Sequence, residues 1–250
     1  MDKNLNTYNI GGVVQWYEKL DKLIEVEVSV FEKYRELLAG GKLLDIGIGG
    51  GRTTRNLINK CKEYVGLDYS LNFVNSVKKQ FPDADIRLMD ARDLSAFPDN
   101  TFDFVNFSFN GIDYVDLEGR IKVFKEVHRV LKDNGVFFFS THNKSHPTFN
   151  KMPWLDSKNS LITNVKTAIK LLPYLPKHYS RKKDEVIMDD YSIINDSAHN
   201  FDLMTFYTSP EYLARQLSDN RFANIRLMCK NGDLPKENKY DDWIFVVCNK

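Results

Sequence analysis

Between residues 42 and 141 the chain alternates short apolar runs with segments that are apolar on one helical face, and no other feature narrows its fold so far. The runs are KLLDI at 42–46, EYVGL at 63–67, DIRLM at 85–89, FDFVNFSF at 102–109 and VFFFST at 136–141. Helix-like segments fall near 52–60, 70–80 and 117–131. In the second, Phe73, Val74, Val77 and Phe81 share a face, with Ser70 placed to cap the start and Pro82 to block continuation. In the third, Ile121, Phe124, Val127 and Leu131 do so, and DNG at 133–135 reads as a stop and turn. Strands apolar on both faces, separated by amphipathic helices, predict an α/β fold with a parallel, doubly wound sheet.

Outside this stretch the rhythm changes. Val13, Tyr17, Leu20, Ile24, Phe31 and Leu38 form an apolar stripe that predicts one helix over 13–38. Ile24, Val26, Val28 and Val30 alternate as in a strand, but the helical spacing continues on both sides of them. Residues 144–208 carry Pro147, Pro153, Pro173 and Pro176, a predicted helix from Ser160 to Leu172, and the mixed-charge tract KHYSRKKDE. Then SPEYLARQLSDN reads as a helix with Ser209 as its cap and Pro210 in its first turn, and strands near 223–229 and 243–248 close the chain as an antiparallel hairpin. The expected organisation is a single domain over 1–250: a helical lid (1–40), a ligand-binding core (41–143), a cap insertion (144–208) and a helix with hairpin completing the sheet (209–250).

The first strand runs into GIGGG, in which Gly47, Gly49 and Gly51 follow Asp45. Glycine inside regular structure costs roughly 0.5–1 kcal/mol relative to alanine, so four in five residues imply a special backbone path or a close neighbour. Ligands of doubly wound sheets sit beyond the carboxyl ends of the strands, which is where this loop leaves. Asp68 ends the second strand, 19 residues after Gly49, where a carboxylate can accept from both hydroxyls of a ribose. Asp90 ends the third strand, so Asp45, Asp68 and Asp90 mark one edge of the sheet.

These glycines follow G-x-G-x-G rather than the dinucleotide G-x-G-x-x-G, and Arg52 stands where the latter has its third glycine. In this, residues 42–143 resemble the class I S-adenosylmethionine-dependent methyltransferases, whose first motif is an acidic residue followed by x-G-x-G-x-G. YVGLDYS resembles their ribose-binding segment, MDARDL the adenine-binding one, and FDFVNFSFNGIDYV and EVHRVLKDNGVFFFSTHN their fourth and fifth strands. The resemblance implies a Rossmann-like, seven-stranded, mostly parallel sheet with an antiparallel last strand and a helical cap insertion. It further implies that S-adenosyl-L-methionine is the cofactor and S-adenosyl-L-homocysteine the product. Gly47, Gly49 and Gly51 would pass against methionine and ribose, with Asp45 ordering that loop and the methionine ammonium. Asp68 would hold the ribose, Tyr69 and Ser70 the adenine edge, Asp90 the adenine amino group and Ala91 the ring. Ser108, Phe109 and Asn110 would line the passage to the acceptor.

A methyl acceptor that loses a proton needs a base at the same sheet edge. His142 follows the fifth strand directly, across the sheet from Asn110, and imidazole suits base work near neutrality. Asn110, His146, Tyr191 and His199 are candidate acceptor contacts, with Asp189, Asp190 and Tyr207 beside them; His128 reads as structural and His178 as part of a solvated, charged face. The insertion is expected to cap the acceptor site.

The Asn/Asp-Pro-Pro-aromatic signature of base-amino methyltransferases is replaced by FNGI, and neither the double-glutamate segment of protein arginine methyltransferases nor a catechol-type metal-holding set stands at these strand ends. No metal is expected. A small-molecule acceptor remains, a sugar, amine or phosphorylated metabolite methylated on oxygen or nitrogen. The net charge of +1 gives no footprint for nucleic acid. No apolar run reaches the roughly 18 residues of a membrane span, and the amino terminus lacks the apolar core of a signal peptide, so no membrane partner and a cytoplasmic location are expected. Cys61, Cys229 and Cys248 are too scattered for a disulfide framework. A monomer or homodimer is expected. Two other readings fit the sequence less well: a non-catalytic binder of the same cofactor, and a nicotinamide oxidoreductase.

Overall fold

The computed structural model describes residues 3–8, 11–155, 159–236 and 239–250. In chain order the helices α1 (Lys3–Tyr8), α2 (Gly11–Glu18), α3 (Glu25–Lys33) and α4 (Arg35–Gly40) precede the sheet. The core follows as β1 (Lys42–Ile46), α5 (Arg52–Leu57), β2 (Glu63–Asp68), α6 (Leu71–Gln80), β3 (Asp85–Leu88), β4 (Phe102–Phe107), α7 (Leu117–Val130) and β5 (Leu131–Asn143). The last part holds α8 (Leu161–Leu171), α9 (Leu175–Arg181), β6 (Val186–Ile187), β7 (Tyr191–Ile194), β8 (Thr205–Thr208), α10 (Pro210–Asp219), β9 (Ala223–Met228) and β10 (Trp243–Asn249).

The strands β3-β2-β1-β4-β5 pair in parallel in that order, and β10 joins β5 antiparallel with β9 outside it. This is the doubly wound Rossmann-like sheet with a reversed end that the sequence predicts. Alternation along β5 explains why both faces are covered. Phe137 and Phe139 pack with Val123, Phe124 and Val127 of α7 and Leu213 and Leu217 of α10. Phe138 points the other way, into a cluster with Val26, Val30 and Phe31 of α3, Leu57 of α5 and Val74 and Val77 of α6. Each such ring contributes about 1.5–3 kcal/mol by leaving water.

Three expectations need correction. The sheet has ten strands among the described residues, not seven, because the insertion is not purely helical. Its segments β7 and β8 pair antiparallel, and β8 runs parallel to the tip of β5 through His142↔Tyr207 and Asn143↔Thr208. This is the edge β4 leaves free once its pairing ends at Phe107↔Phe139. The predicted helix over 13–38 is broken at 19–24. Its restart is fixed from outside the segment: Glu27 accepts the Ile24 amide at 2.7 Å while its carboxylate is held by Arg52, 25 residues away. Finally, DNG is a bulge inside β5, with Asn134 at φ 64°, rather than a turn between elements.

Candidate active site

The loop after β1 takes a path that needs glycine at several points. Gly47, Gly49 and Gly51 lie at φ 66°, 51° and 88°, in the left-handed region. Gly50 is required for another reason: a Cβ there would sit 2.3 Å from the Tyr17 carbonyl carbon, so the amino-terminal segment lies directly on the loop. Beneath it, Asp45 is wholly buried and accepts from Thr53 Oγ1 (2.6 Å), Tyr64 OH (2.6 Å) and Asn106 Nδ2 (2.7 Å). Burial pushes its carboxyl up, and the three donors pull it back. Asp45 does not line the cleft; its carboxylate ties the first turn of α5 to β2 and β4 rather than facing a ligand amine.

Above the loop opens a cleft bordered by Gly47 to Gly50, Asp68, Tyr69, Asp90, Ala91, Ser108 and Phe109, with Tyr8, Tyr17 and Leu20 on the side of the amino-terminal segment. Asp68 is buried and accepts the amides of Gly49 and Ser70, each at 2.9 Å. Burial dominates over these bonds and pushes its carboxyl up to about 6. Asp90 also reaches the cleft, with its carboxylate engaged by Arg92 at 2.6 Å. Ser70 does not: it stands at the start of α6, but its hydroxyl donates to the Tyr8 carbonyl and neither caps the helix nor borders the cleft.

Asn110 and His142 are brought together behind Phe109, as the strand order predicts. Phe109 and Asn110 both sit at positive φ, 61° and 59°, turning the chain sharply off β4. The Asn110 amide donates to Ser140 Oγ at 2.9 Å, and its side-chain nitrogen lies 3.2 Å from His142 Nε2. His142 Nδ1 lies 2.8 Å from Asp113 Oδ2, which also accepts the His142 amide at 2.7 Å. A carboxylate only accepts, so Nδ1 carries the proton and Nε2 is the acceptor toward Asn110. Asp113 Oδ1 accepts from Thr141 Oγ1 (2.5 Å) and Arg120 Nη1 (2.8 Å), and the Asp113–Arg120 pair is fully buried. His142 is 15% exposed. It does not border the main cleft; its ring meets Tyr207 (4.9 Å) and Trp243 (5.8 Å), with Phe149 against Tyr207 and Phe109, a residue of the cleft wall, against Trp243.

The other candidate acceptor contacts do not assemble there. His146 turns onto Thr148 Oγ1 at 2.7 Å. Tyr191 is stacked between Phe206 and Tyr212, because strand alternation aims it away from His142. Asp190 pairs with Arg215, and the Asp189 carbonyl accepts from Lys144. His199 instead packs against the roof of the cleft, its Nε2 3.3 Å from Tyr17 OH, and burial lowers its pKa. His178 is no solvated residue: it is buried, with Nδ1 3.1 Å from Asn195 Oδ1.

Two groups escaped the sequence reading. Asp113 sits in a short 3-10 turn (Gly111–Tyr114) with only its place after the fourth strand as a signal. The Arg52–Glu27 pair is buried and bidentate (2.5 and 2.7 Å), with Arg52 over the Phe109 ring at 4.8 Å. An acid inside the Ile24–Val30 alternation was its one trace.

Residues 44–139 match the family profile described as a methyltransferase domain. Over 142 residues the chain is 32% identical to an uncharacterised protein of Methanocaldococcus jannaschii, covering 53% of this chain and 52% of that one. Over 110 residues it is 36% identical to the demethylmenaquinone methyltransferase of Renibacterium salmoninarum, covering 44% of each. The chain thus spans about half the length of the curated relatives it matches. Among solved structures, an S-adenosylmethionine-dependent methyltransferase of Methanosarcina mazei superposes with a TM-score of 0.61 at 20% identity, over 92% of this chain and 99% of that one. The 1,6-didemethyltoxoflavin-N1-methyltransferase of Burkholderia thailandensis, with S-adenosylhomocysteine bound, gives 0.58 at 11% identity, over 99% and 85%.

Proposed function

We propose that this chain, whose residues 44–139 match a methyltransferase domain, is a class I S-adenosylmethionine-dependent methyltransferase that transfers the methyl group to an oxygen or nitrogen of a small molecule seated beside His142. The cleft suits the cofactor of this family. A glycine floor admits a close ligand, a buried carboxylate (Asp68) keeps acceptor capacity beyond its two backbone donors, and Met89 and Ala91 offer apolar surface for a base. In this reading Gly47 and Gly49 face methionine and ribose while Gly51, packed against Val77 and Phe81, only turns the chain into α5; Asp68 takes the ribose hydroxyls, and Tyr69, Asp90 and Ala91 meet the adenine, with Asp90 sharing its carboxylate with Arg92. Ser108 and Phe109 separate cofactor from acceptor. Bound there, the cofactor supplies an electrophilic methyl carbon on a sulfonium.

The chain's own residues then have two tasks. The first is alignment, which can supply about 7–11 kcal/mol of a transfer barrier. The lid (1–40) and the cap (144–208) perform it by closing over the two ligands. The second is to take the acceptor's proton. Asp113 holds His142 with Nε2 unprotonated, its lone pair met by the Asn110 amide at 3.2 Å until the acceptor displaces that contact, and this oriented pair is the observation that most favours catalysis over mere cofactor binding. Asn110 Oδ1, buried and without a hydrogen-bond partner among the described residues, is placed to receive the acceptor's N–H or O–H. The rings of Phe149, Tyr207 and Trp243 favour an acceptor with a flat face.

Titration calorimetry with S-adenosylhomocysteine, followed by a panel of aromatic phenols and amines scored for S-adenosylhomocysteine release, tests this. Binding with turnover of at least one panel member is expected. No affinity for the nucleoside, or displacement of it by a nicotinamide dinucleotide, sinks the proposal.

A further inference from the structure

Helix α8 leaves its apolar side in water. Leu161 is 80% exposed, Ile169 68%, and Ile162, Val165 and the following Leu172 are also exposed, whereas Leu171 alone is buried in this helix. At 3.6 residues per turn these five exposed side chains fall within an arc of about 100°. Large contiguous apolar patches are uncommon on proteins that meet only water and mark interaction sites.

The charge pattern says which partner fits. Residues 159–183 contain Lys166, Lys170, Lys177, Arg181, Lys182 and Lys183 and no Asp or Glu. Lys177 and Arg181 turn inward onto Asp202, but Lys166, Lys170, Lys182 and Lys183 are exposed and make no ion pair among the described residues. The whole chain's +1 is therefore +6 here against −5 elsewhere. Lys166 and Lys170 border the apolar arc on one side, as in helices that lie in a membrane interface with their apolar face down and lysines at the headgroups.

We propose that α8 is an interfacial anchor by which the cap docks on an anionic phospholipid surface. Two alternative occupants fit worse. A second copy across a two-fold axis would set Lys166 and Lys170 against their own images, with no acid on either face. A nucleic acid would meet aliphatic side chains at the centre of the contact. The helix does not span a bilayer: eleven residues reach only about 16 Å. The absence of a long apolar run, from which the sequence predicted no membrane partner, does not bear on a helix lying in the interface. The proposal does not depend on the catalytic reading.

The full chain is mixed with phosphatidylcholine vesicles, with and without about a third phosphatidylglycerol, and sedimented. Binding to the anionic vesicles alone is expected, with release by high salt. Lys166→Glu/Lys170→Glu should lower partitioning at least about tenfold. Ile162→Ser/Ile169→Ser should do likewise, and neither should move the melting temperature, since these side chains are exposed. No sedimentation, equal binding to neutral vesicles, or binding unaffected by both variants overturns the proposal. So does a lipid-free dimer that either variant converts to monomers, which would give the face to a second copy.

Discussion

Asp113→Asn removes one charge and changes one atom from acceptor to donor, and the structure sets what each change does. The carboxylate takes four hydrogen bonds between 2.5 and 2.8 Å, two from His142, one from Thr141 and one from Arg120. Arg120 is fully buried with Asp113 as its sole ion-pair partner among the described residues, so the variant leaves an uncompensated charge, costing about 3–5 kcal/mol of stability. The amide has a single acceptor oxygen. If its nitrogen faces His142, it donates to Nδ1, the ring proton moves to Nε2, and the base loses its lone pair. The analogous Asp→Asn change in the serine-protease triad lowers kcat by about 10⁴, and general-base catalysis is worth about 10²–10⁴; kcat should therefore fall by roughly 10²–10⁴. The assay is kcat at saturating cofactor, measured below the variant's lowered melting temperature, beside calorimetric cofactor affinity. Affinity should stay within about twofold, because the cleft's nucleoside-facing residues are untouched. His142→Ala should lose a similar factor, and the double variant little more, since the two act as one unit. A folded Asp113→Asn protein with unchanged kcat, or multiplicative losses in the double variant, would refute the assignment.

Asp68 couples pH to both binding and stability. Its folded pKa of about 6 exceeds the ordinary 3.8, so the native state favours the protonated form. Its contribution to stability is full below the unfolded value and is lost as pH rises through 6, by roughly 3 kcal/mol in all. Cofactor affinity should run the opposite way, falling about tenfold per unit below pH 6 as the acceptor carboxylate is protonated; calorimetry between pH 5 and 8 checks this, and a flat profile for wild type counts against the ribose role. Gly50→Ala drives a methyl into the Tyr17 backbone and should cost about 1–3 kcal/mol while opening 19–24 to protease, whereas Gly49→Ala meets nothing closer than 3.7 Å and should cost about 1 kcal/mol through its φ of 51° alone. Glu27→Gln breaks the buried pair with Arg52 and should lower stability by about 3–5 kcal/mol in denaturant titration.

The core was legible because periodicity reports burial: β1 to β5 and the helices between them alternate faces that the residues themselves declare. The glycine loop and Asp68 were legible because a backbone path and a strand end imposed them. What stayed hidden depended on partners distant in sequence. The break at 19–24 follows from Glu27 meeting Arg52, and β7 and β8 exist because the tip of β5 offers a vacant edge. His178 reads as solvated within KHYSRKKDE until Asn195 is placed beside it. Asp113 becomes visible as the partner of His142 only once β4 and β5 lie side by side.

The roof of the cleft is stitched from the amino-terminal segment and the insertion. Asn4 bonds the backbone of Tyr114 and Met204, Thr7 reaches the Asp202 carbonyl, and Tyr17 meets His199. Opening either segment breaks contacts to the other, so on the proposed reading admission of fresh nucleoside and discharge of the spent one would share a single hinge event. That unzipping, rather than bond-making, is where a slow turnstile would set the pace of the cycle.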